Sequence, residues 1–176
     1  ISCKSLICDW SDNEIQADWM KTLGINGDPV LTLGLIYIED DPIKQLKRSK
    51  NFYQKKYSQE MITIKKSRKK KIHIGYFSAD FRTHATTFLI SEVLRLHNKL
   101  EFEIYLYSFP PLEDEYTKMI KDYGCIFRDI KNLNNSEAVK LARNDKLDIA
   151  IDLMGYVKNN RMEIFSNRVA PIQINY

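Results

Sequence analysis

Residues 72–84 read IHIGYFSADFRTH, an apolar run that passes directly into a polar loop. The run at 72–77 has the length and the β-branched and aromatic content that predict a buried strand. A helix is predicted to follow from about Thr86 to His97. A strand that passes through a short loop into a helix is the opening unit of an alternating α/β fold.

The same alternation continues downstream. A second strand is predicted at 102–107, where Phe102, Ile104 and Leu106 alternate with charged or tyrosine residues in the period of two expected of a strand. Strands that alternate with helices pair in parallel through right-handed crossovers, so the predicted fold class is α/β with a Rossmann-like parallel sheet of about five strands. The other predicted elements are helices at 113–123, 136–144 and 161–166 and strands at 125–130, 147–153 and 172–176.

The part of the chain before the sheet reads as helical. We predict a helical segment over residues 1–68 and the Rossmann-like domain over 69–176. A first helix is predicted with Asp12 or Asn13 as its cap, and a second with Pro29 at its first position. The α/β domain is therefore expected to follow an α-helical segment.

A third helix is predicted to begin at the run Asp40-Asp41-Pro42. Its periodicity places Ile43 and Leu46 on an apolar face and Arg48, with several lysines, on the opposite face. This pattern is typical of an amphipathic surface helix.

Composition and charge narrow the class of protein. The 176 residues carry a net charge of +4 and are 44% hydrophobic, which is enough apolar material for a core. Much of the excess positive charge lies in residues 65–71, a run without the aromatic residues on which bases stack. We interpret this run as a solvated linker and expect no nucleic-acid partner. No apolar stretch is long enough to span a bilayer, so no membrane partner is expected.

The cysteines and the first residue add two expectations. The chain has three cysteines, an odd number without zinc-site spacing, and Cys8 and Cys125 lie in apolar segments that predict buried thiols. A reducing, cytoplasmic location is the default for such a chain. Because the chain begins with Ile1, it is expected to be a fragment or a processed form.

Motifs for nucleotide cofactors and metals are missing from the sequence. With six glycines, the chain contains neither a G-x-G-x-x-G fingerprint nor a P-loop, which argues against NAD, FAD or ATP held by these motifs. It also lacks H-E-x-x-H and a clustered set of His and Cys. No cofactor and no metal are therefore predicted.

The loop after the first predicted strand carries the best candidate site. Ligands of open α/β sheets bind at the carboxyl ends of the strands, and Asp80, Thr83 and His84 lie there. A neutral imidazole at His84 could exchange a proton near neutral pH or hydrogen-bond a sugar or phosphate oxygen. The alternative is that Asp80 and Thr83 cap local turns while His84 only starts the helix.

A second polar segment, residues 152–161, follows the buried strand predicted at 147–153. Gly155 in this segment allows a sharp turn or the close approach of a ligand to the backbone. The alternative is an ordinary turn from a strand to a helix.

Motifs spread along the chain resemble one family. They are the strand and loop at 74–84, the pair Gly155-Tyr156 followed by Arg161, and the run RVAPIQ at 168–173. In this order they resemble the O-linked N-acetylglucosamine transferases of glycosyltransferase family 41, including the SPINDLY-type relatives. The triplet Cys8-Asp9-Trp10 resembles the family's junction between its tetratricopeptide repeats and its catalytic region.

The resemblance implies the N-terminal half of a GT-B fold and an inverting, metal-independent enzyme. Such an enzyme moves a sugar, most simply N-acetylglucosamine from UDP-GlcNAc, to Ser or Thr hydroxyls of acceptor proteins. The family's active-site histidine, considered as a catalytic base, maps onto His84, and the substrate-binding residues implied are Asp80, Thr83, Gly155 and Tyr156. The nucleotide sugar would be bound mainly by a C-terminal domain that follows the family's motif, so this chain alone is not expected to turn over.

The sequence departs from the family's pattern at three positions. Ala85 replaces a frequent proline, Met154 replaces a frequently polar residue, and Val157 replaces a threonine. Two alternatives therefore stay open. The protein could be a non-catalytic, repeat-containing scaffold with a degenerate transferase fold, or a relative that uses another donor such as GDP-fucose or a UDP-hexose.

Overall fold

The computed structural model describes residues 7–9, 11, 20–36, 39–57, 62–65, 69–110 and 112–176. The chain divides into two compact units, Ile1–Gln59 and Glu60–Tyr176. No helix in the described part of the chain has the length and apolarity that crossing a bilayer requires.

The main helix of the first unit, α1, spans Pro42–Lys56. The carboxylate of Asp41 accepts the backbone N–H of Lys44 at 3.0 Å, and Pro42 occupies the first helical position. Asp41 thus pairs one of the free N–H groups at the helix start, and Pro42 has no N–H that would need a partner. These features confirm the predicted beginning of this helix.

The earlier part of the first unit differs from the sequence-based expectation. A short 3-10 helix spans Thr32–Leu35, and the backbone is still extended at Leu31, so the helix predicted to start at Pro29 begins later. Cys8 is exposed rather than buried, in keeping with its neighbour Ile7, which is 74% exposed. Most of the helix predicted to be capped by Asp12 or Asn13 lies outside the described residues.

Arg48 is fully buried, which corrects its predicted place on the solvated face of α1. Its guanidinium donates to the main-chain carbonyls of Met20 at 2.7 Å and Leu23 at 2.8 Å, and it forms an ion pair with Glu39. The planar fork of arginine suits several acceptors at once. Two side chains predicted on the apolar face are instead exposed, Ile43 by 67% and Leu46 by 55%.

We predict that Arg48→Ala destabilises the first unit strongly. The substitution leaves the main-chain carbonyls of Met20 and Leu23 without their donor and removes one of the two cations that contact the Glu39 carboxylate, the other being Lys44 at 2.6 Å. Leaving acceptors unpaired in this way costs about 1–3 kcal/mol each. The exposed neighbour Lys47 on the same helix provides the control, because Lys47→Ala should change the free energy of unfolding by less than about 0.5 kcal/mol. Urea unfolding followed by far-ultraviolet circular dichroism measures both. Equal effects of the two substitutions would contradict a stabilising role of the Arg48 hydrogen bonds.

The second unit is built on a five-stranded sheet with the order β3-β2-β1-β4-β5, in which all neighbouring strands are parallel. Helices connect the successive strands, which confirms the predicted α/β, Rossmann-like fold. The strands are β1 (Ile72–Ser78), β2 (Phe102–Ser108), β3 (Ile126–Asp129), β4 (Ile149–Asp152) and β5 (Ile172–Asn175), and the helices are α2 (Ala85–Leu96), α3 (Glu115–Lys121), α4 (Asn135–Asn144) and α5 (Met162–Ser166).

Each face of the sheet has its own apolar core. On one face, Phe77 stacks on Tyr107 with ring centroids 4.2 Å apart, and Phe165 from α5 meets Phe77 edge-on at 5.0 Å. On the other face, Leu94 of α2 and Ile120 of α3 are fully buried in a second cluster. Because both faces are covered, β1 lies deep in the unit and holds the loop that follows it on a rigid support.

Candidate functional site

The loops after β1 and β4 begin side by side at the carboxyl edge of the sheet. Phe77 of β1 is paired with Asp152 of β4, and the backbone N–H of Leu153 donates to the carbonyl of Phe77 at 3.1 Å. The strand order changes direction between these two strands, since β1 leads to β2 and β3 on one side while β4 leads to β5 on the other. Such a switch point leaves a crevice outside the strand ends, where open α/β sheets bind their ligands.

The β1 loop is shaped by its own hydrogen bonds. Ser78 Oγ accepts the N–H of Asp80 at 2.9 Å, and the Asp80 carbonyl accepts the N–H of Arg82 at 2.8 Å and the hydroxyl of Thr87. The carboxylate of Asp80 is mostly buried and lies 3.3 Å from the guanidinium of Arg82 and 3.5 Å from Nδ1 of His84. The loop therefore holds a carboxylate between a cation and an imidazole.

His84 is the N-cap of α2. Its Nδ1 accepts the backbone N–H of Thr86 at 3.2 Å, and its side chain is 40% exposed. A ring nitrogen that accepts a hydrogen bond carries no proton, so the neutral ring in this arrangement is protonated at Nε2 and presents a donor. Nε2 can accept a proton only in the other neutral form of the ring, in which Nδ1 carries the proton. In that form Nδ1 can no longer accept the N–H of Thr86, and the ring must turn so that Nδ1 donates to the carboxylate of Asp80.

Thr83 fastens the loop to a neighbouring helix. Its backbone N–H donates to Asp114 Oδ2 at 2.7 Å, while the other carboxylate oxygen caps α3 through Tyr116 at 3.0 Å and Thr117 at 3.1 Å. Hydrogen bonds from Thr83 first, and then from the helix start, lower the pKa of Asp114 from 3.8 to about 2. The side chain of Thr83 itself is exposed at the crevice edge.

We predict that acid releases Thr83. The folded pKa of Asp114 lies below its ordinary value, so this tie is fully present above about pH 4 and is lost as the pH falls through about 2. The amide proton shift of Thr83, followed by NMR, should therefore titrate with a midpoint near pH 2. Asp114→Asn should abolish this titration, and Glu113→Gln at the exposed neighbouring position should leave it unchanged. A midpoint near 3.8 in the unaltered chain would contradict the tie.

The turn after β4 is organised by Asp152. Its Oδ1 accepts the N–H of Met154 at 2.9 Å, and its Oδ2 accepts the N–H of Gly155 at 3.2 Å and the side-chain amide of Asn175 at 3.3 Å. Burial raises the pKa of Asp152, and these hydrogen bonds oppose the rise. In the sequence, Asp152 only begins the polar segment at 152–161, and no pattern there predicts this role.

The backbone of Gly155 has a positive φ of 55°, a conformation that residues with a Cβ rarely adopt. A Cβ at this position would also lie 3.3 Å from the Asn175 amide nitrogen. Tyr156 follows half-buried. The turn itself therefore favours glycine at this position, whichever ligand the crevice takes.

Arg161 lies beyond the turn and serves a structural role. Its guanidinium donates to Asn135 Oδ1 at 2.7 Å and to the carbonyls of Ile130 and Leu133 at 2.8 Å each. Burial lowers the pKa of this guanidinium. Arg161 also borders an open groove of about 520 Å³, lined by Phe109, Pro110, Lys131, Leu133, Asn134, Asn135, Asn159 and Arg161.

Within the described ranges, no group of three or more His, Cys, Asp and Glu side chains is arranged to hold a metal ion. The charged groups of the crevice are instead engaged with one another and with backbone N–H groups. A half-exposed imidazole beside a carboxylate is a combination that can hydrogen-bond a hydroxyl group and exchange a proton.

Comparisons with known proteins place the chain among sugar transferases. A family model described as Glycosyl transferase family 41 matches residues 44–176. A protein of Arabidopsis thaliana described as probable UDP-N-acetylglucosamine–peptide N-acetylglucosaminyltransferase SEC is 33% identical over 61% of this chain. The SPINDLY protein of Petunia hybrida, which has the same description, is 30% identical over 63%. The matched segments cover only 11% and 12% of these two relatives.

A solved structure has the same fold. A mutant O-GlcNAc transferase of Thermobaculum terrenum superposes with a TM-score of 0.73 over 93% of this chain and 31% of its own, at 23% identity.

Proposed function

The chain belongs to glycosyl transferase family 41, and we propose that it forms one wall of the active site of a protein O-glycosyltransferase. The sugar would come from a nucleotide donor, N-acetylglucosamine from UDP in the first instance, and go to Ser or Thr hydroxyls of acceptor proteins. The plant relatives are described as transferring N-acetylglucosamine from this donor to peptides.

The observation that carries the proposal is the meeting of two loops at the switch point. The loop with Asp80, Thr83 and His84 and the turn with Gly155 and Tyr156 leave neighbouring strands at one edge of the sheet. Each segment is held by a carboxylate that receives backbone N–H groups, Asp114 for the first and Asp152 for the second. Preorganised loops of this kind position a substrate without a cost of rearrangement at the moment of reaction.

The proposed chemistry is a single displacement at the anomeric carbon. The acceptor hydroxyl oxygen forms a bond to that carbon while the bond to the diphosphate breaks, and the nucleoside diphosphate leaves with the electron pair. Attack from the face opposite the leaving group inverts the configuration. The hydroxyl proton must go to a base, and we assign it to Nε2 of His84, with the Nδ1 proton held by Asp80. This assignment requires no metal ion.

In the complete protein, transfer of labelled sugar to protein acceptors from UDP-N-acetylglucosamine, GDP-fucose and UDP-glucose tests the proposal. We predict transfer from the first donor and a loss of kcat of roughly 100- to 10,000-fold in His84→Asn. Asparagine is a good N-cap, so this variant keeps the start of α2 and removes only the imidazole. His84→Ala, which removes both, should lose the same activity and also some stability.

The possible outcomes distinguish a failure of the transferase activity from a failure of the role assigned to His84. If the unaltered protein moves no sugar from any donor, the enzymatic function is wrong and a non-catalytic binding module remains. Transfer from another donor in place of UDP-N-acetylglucosamine would correct the donor alone. If His84→Asn keeps the full rate, His84 is not the base, while the family and the transfer stand.

A further inference from the structure

The thioether of Met154 lies between the two loops of the crevice. Its sulfur is 3.3 Å from the backbone nitrogen of Ala79 and 3.6 Å from the hydroxyl oxygen of Ser78. Met154 is 5% exposed and Ala79 is 2% exposed, so both partners are removed from water. The contact joins residues 75 positions apart in the chain.

The sulfur supplies an acceptor where the backbone needs one. Buried backbone N–H groups in folded proteins are nearly always paired, since an unpaired one loses its hydrogen bonds to water without replacement. At Ala79 the chain leaves β1, and its N–H points to the sulfur of Met154. A thioether is a weak acceptor, but it is also polarisable and flexible enough to reach both donors.

Hydrogen bonds hold the residues on both sides of this sulfur contact. The backbone N–H of Met154 is held by Asp152, the carboxylate that also receives the N–H of Gly155. On the other side, the Ser78 hydroxyl that contacts the sulfur accepts the N–H of Asp80. A continuous series of contacts therefore runs from Asp152 in the β4 turn, through the sulfur of Met154 and the hydroxyl of Ser78, to Asp80, whose carboxylate lies beside His84.

We propose that Met154 is a positioning residue, whose sulfur sets the spacing between the His84 loop and the Gly155-Tyr156 turn. Its importance for sugar transfer rests on the proposed function, whereas the mechanical coupling of the loops does not. Leucine fills a similar volume but accepts no hydrogen bond, so Met154→Leu removes the coupling with little change in packing. Glutamine offers a stronger acceptor on a side chain of similar length, so Met154→Gln should restore the coupling.

NMR of the chain tests the coupling without reference to activity. In Met154→Leu, we expect amide hydrogen exchange at Ala79 to become faster by about tenfold or more, because the N–H loses its acceptor. The ¹⁵N shifts of the His84 ring, which report where the ring proton lies, should change as the loop moves. Met162→Leu on α5 is the matched control and should change neither. If Met154→Leu behaves like Met162→Leu in both measurements, the coupling does not exist.

Kinetics of the complete protein tests the role in positioning. We expect Met154→Leu to lower kcat by about tenfold with little change in the KM for the nucleotide sugar, and Met154→Gln to recover most of the loss. If exchange at Ala79 accelerates while kcat stays unchanged, the coupling is real but positions nothing for the reaction. If the unaltered protein transfers no sugar, the proposed function fails, and the exchange and ring-shift measurements still decide the coupling.

Discussion

The parallel pairing of β1 with β4 is the constraint on which the site depends. Strands that lie far apart in the sequence are placed next to each other by the order β3-β2-β1-β4-β5, and only this adjacency brings the loop at 78–84 to the turn at Gly155. The two apolar cores hold both strands from above and below, with Phe77 stacked on Tyr107 on one face. The packing of both faces of the sheet therefore holds the starting points of the two loops in place.

Hydrogen-bond acceptors at the carboxyl edge of the sheet then determine the shape of the crevice. Asp152 gathers two N–H groups of the β4 turn, Asp114 ties Thr83 to the start of α3, and the sulfur of Met154 joins the two loops. Each of these groups accepts backbone N–H groups of loops or of a helix start, which have no partner within a strand or helix. At Met154 the side chain thus provides a hydrogen-bond acceptor between the two loops.

Much of the fold of the second unit could be predicted from the sequence, because its strands are short apolar runs separated by capped helices. The predicted strand at 102–107 and the observed one at Phe102–Ser108 differ by a single residue. Arg48 could not be predicted, since periodicity assigns a charged residue to solvent, whereas its guanidinium finds carbonyls at Met20 and Leu23. The contacts of Met154 and the ring proton of His84 depend on neighbours that only the folded chain provides.

A crystal structure of the complete protein with an acceptor peptide and an unreactive analogue of the nucleotide sugar tests the central claim most directly. We predict that the acceptor hydroxyl lies in the crevice between the β1 loop and the Gly155-Tyr156 turn, within hydrogen-bonding reach of His84. An acceptor hydroxyl bound in the groove beside Phe109 and Arg161, or at the amino ends of the strands, would contradict it.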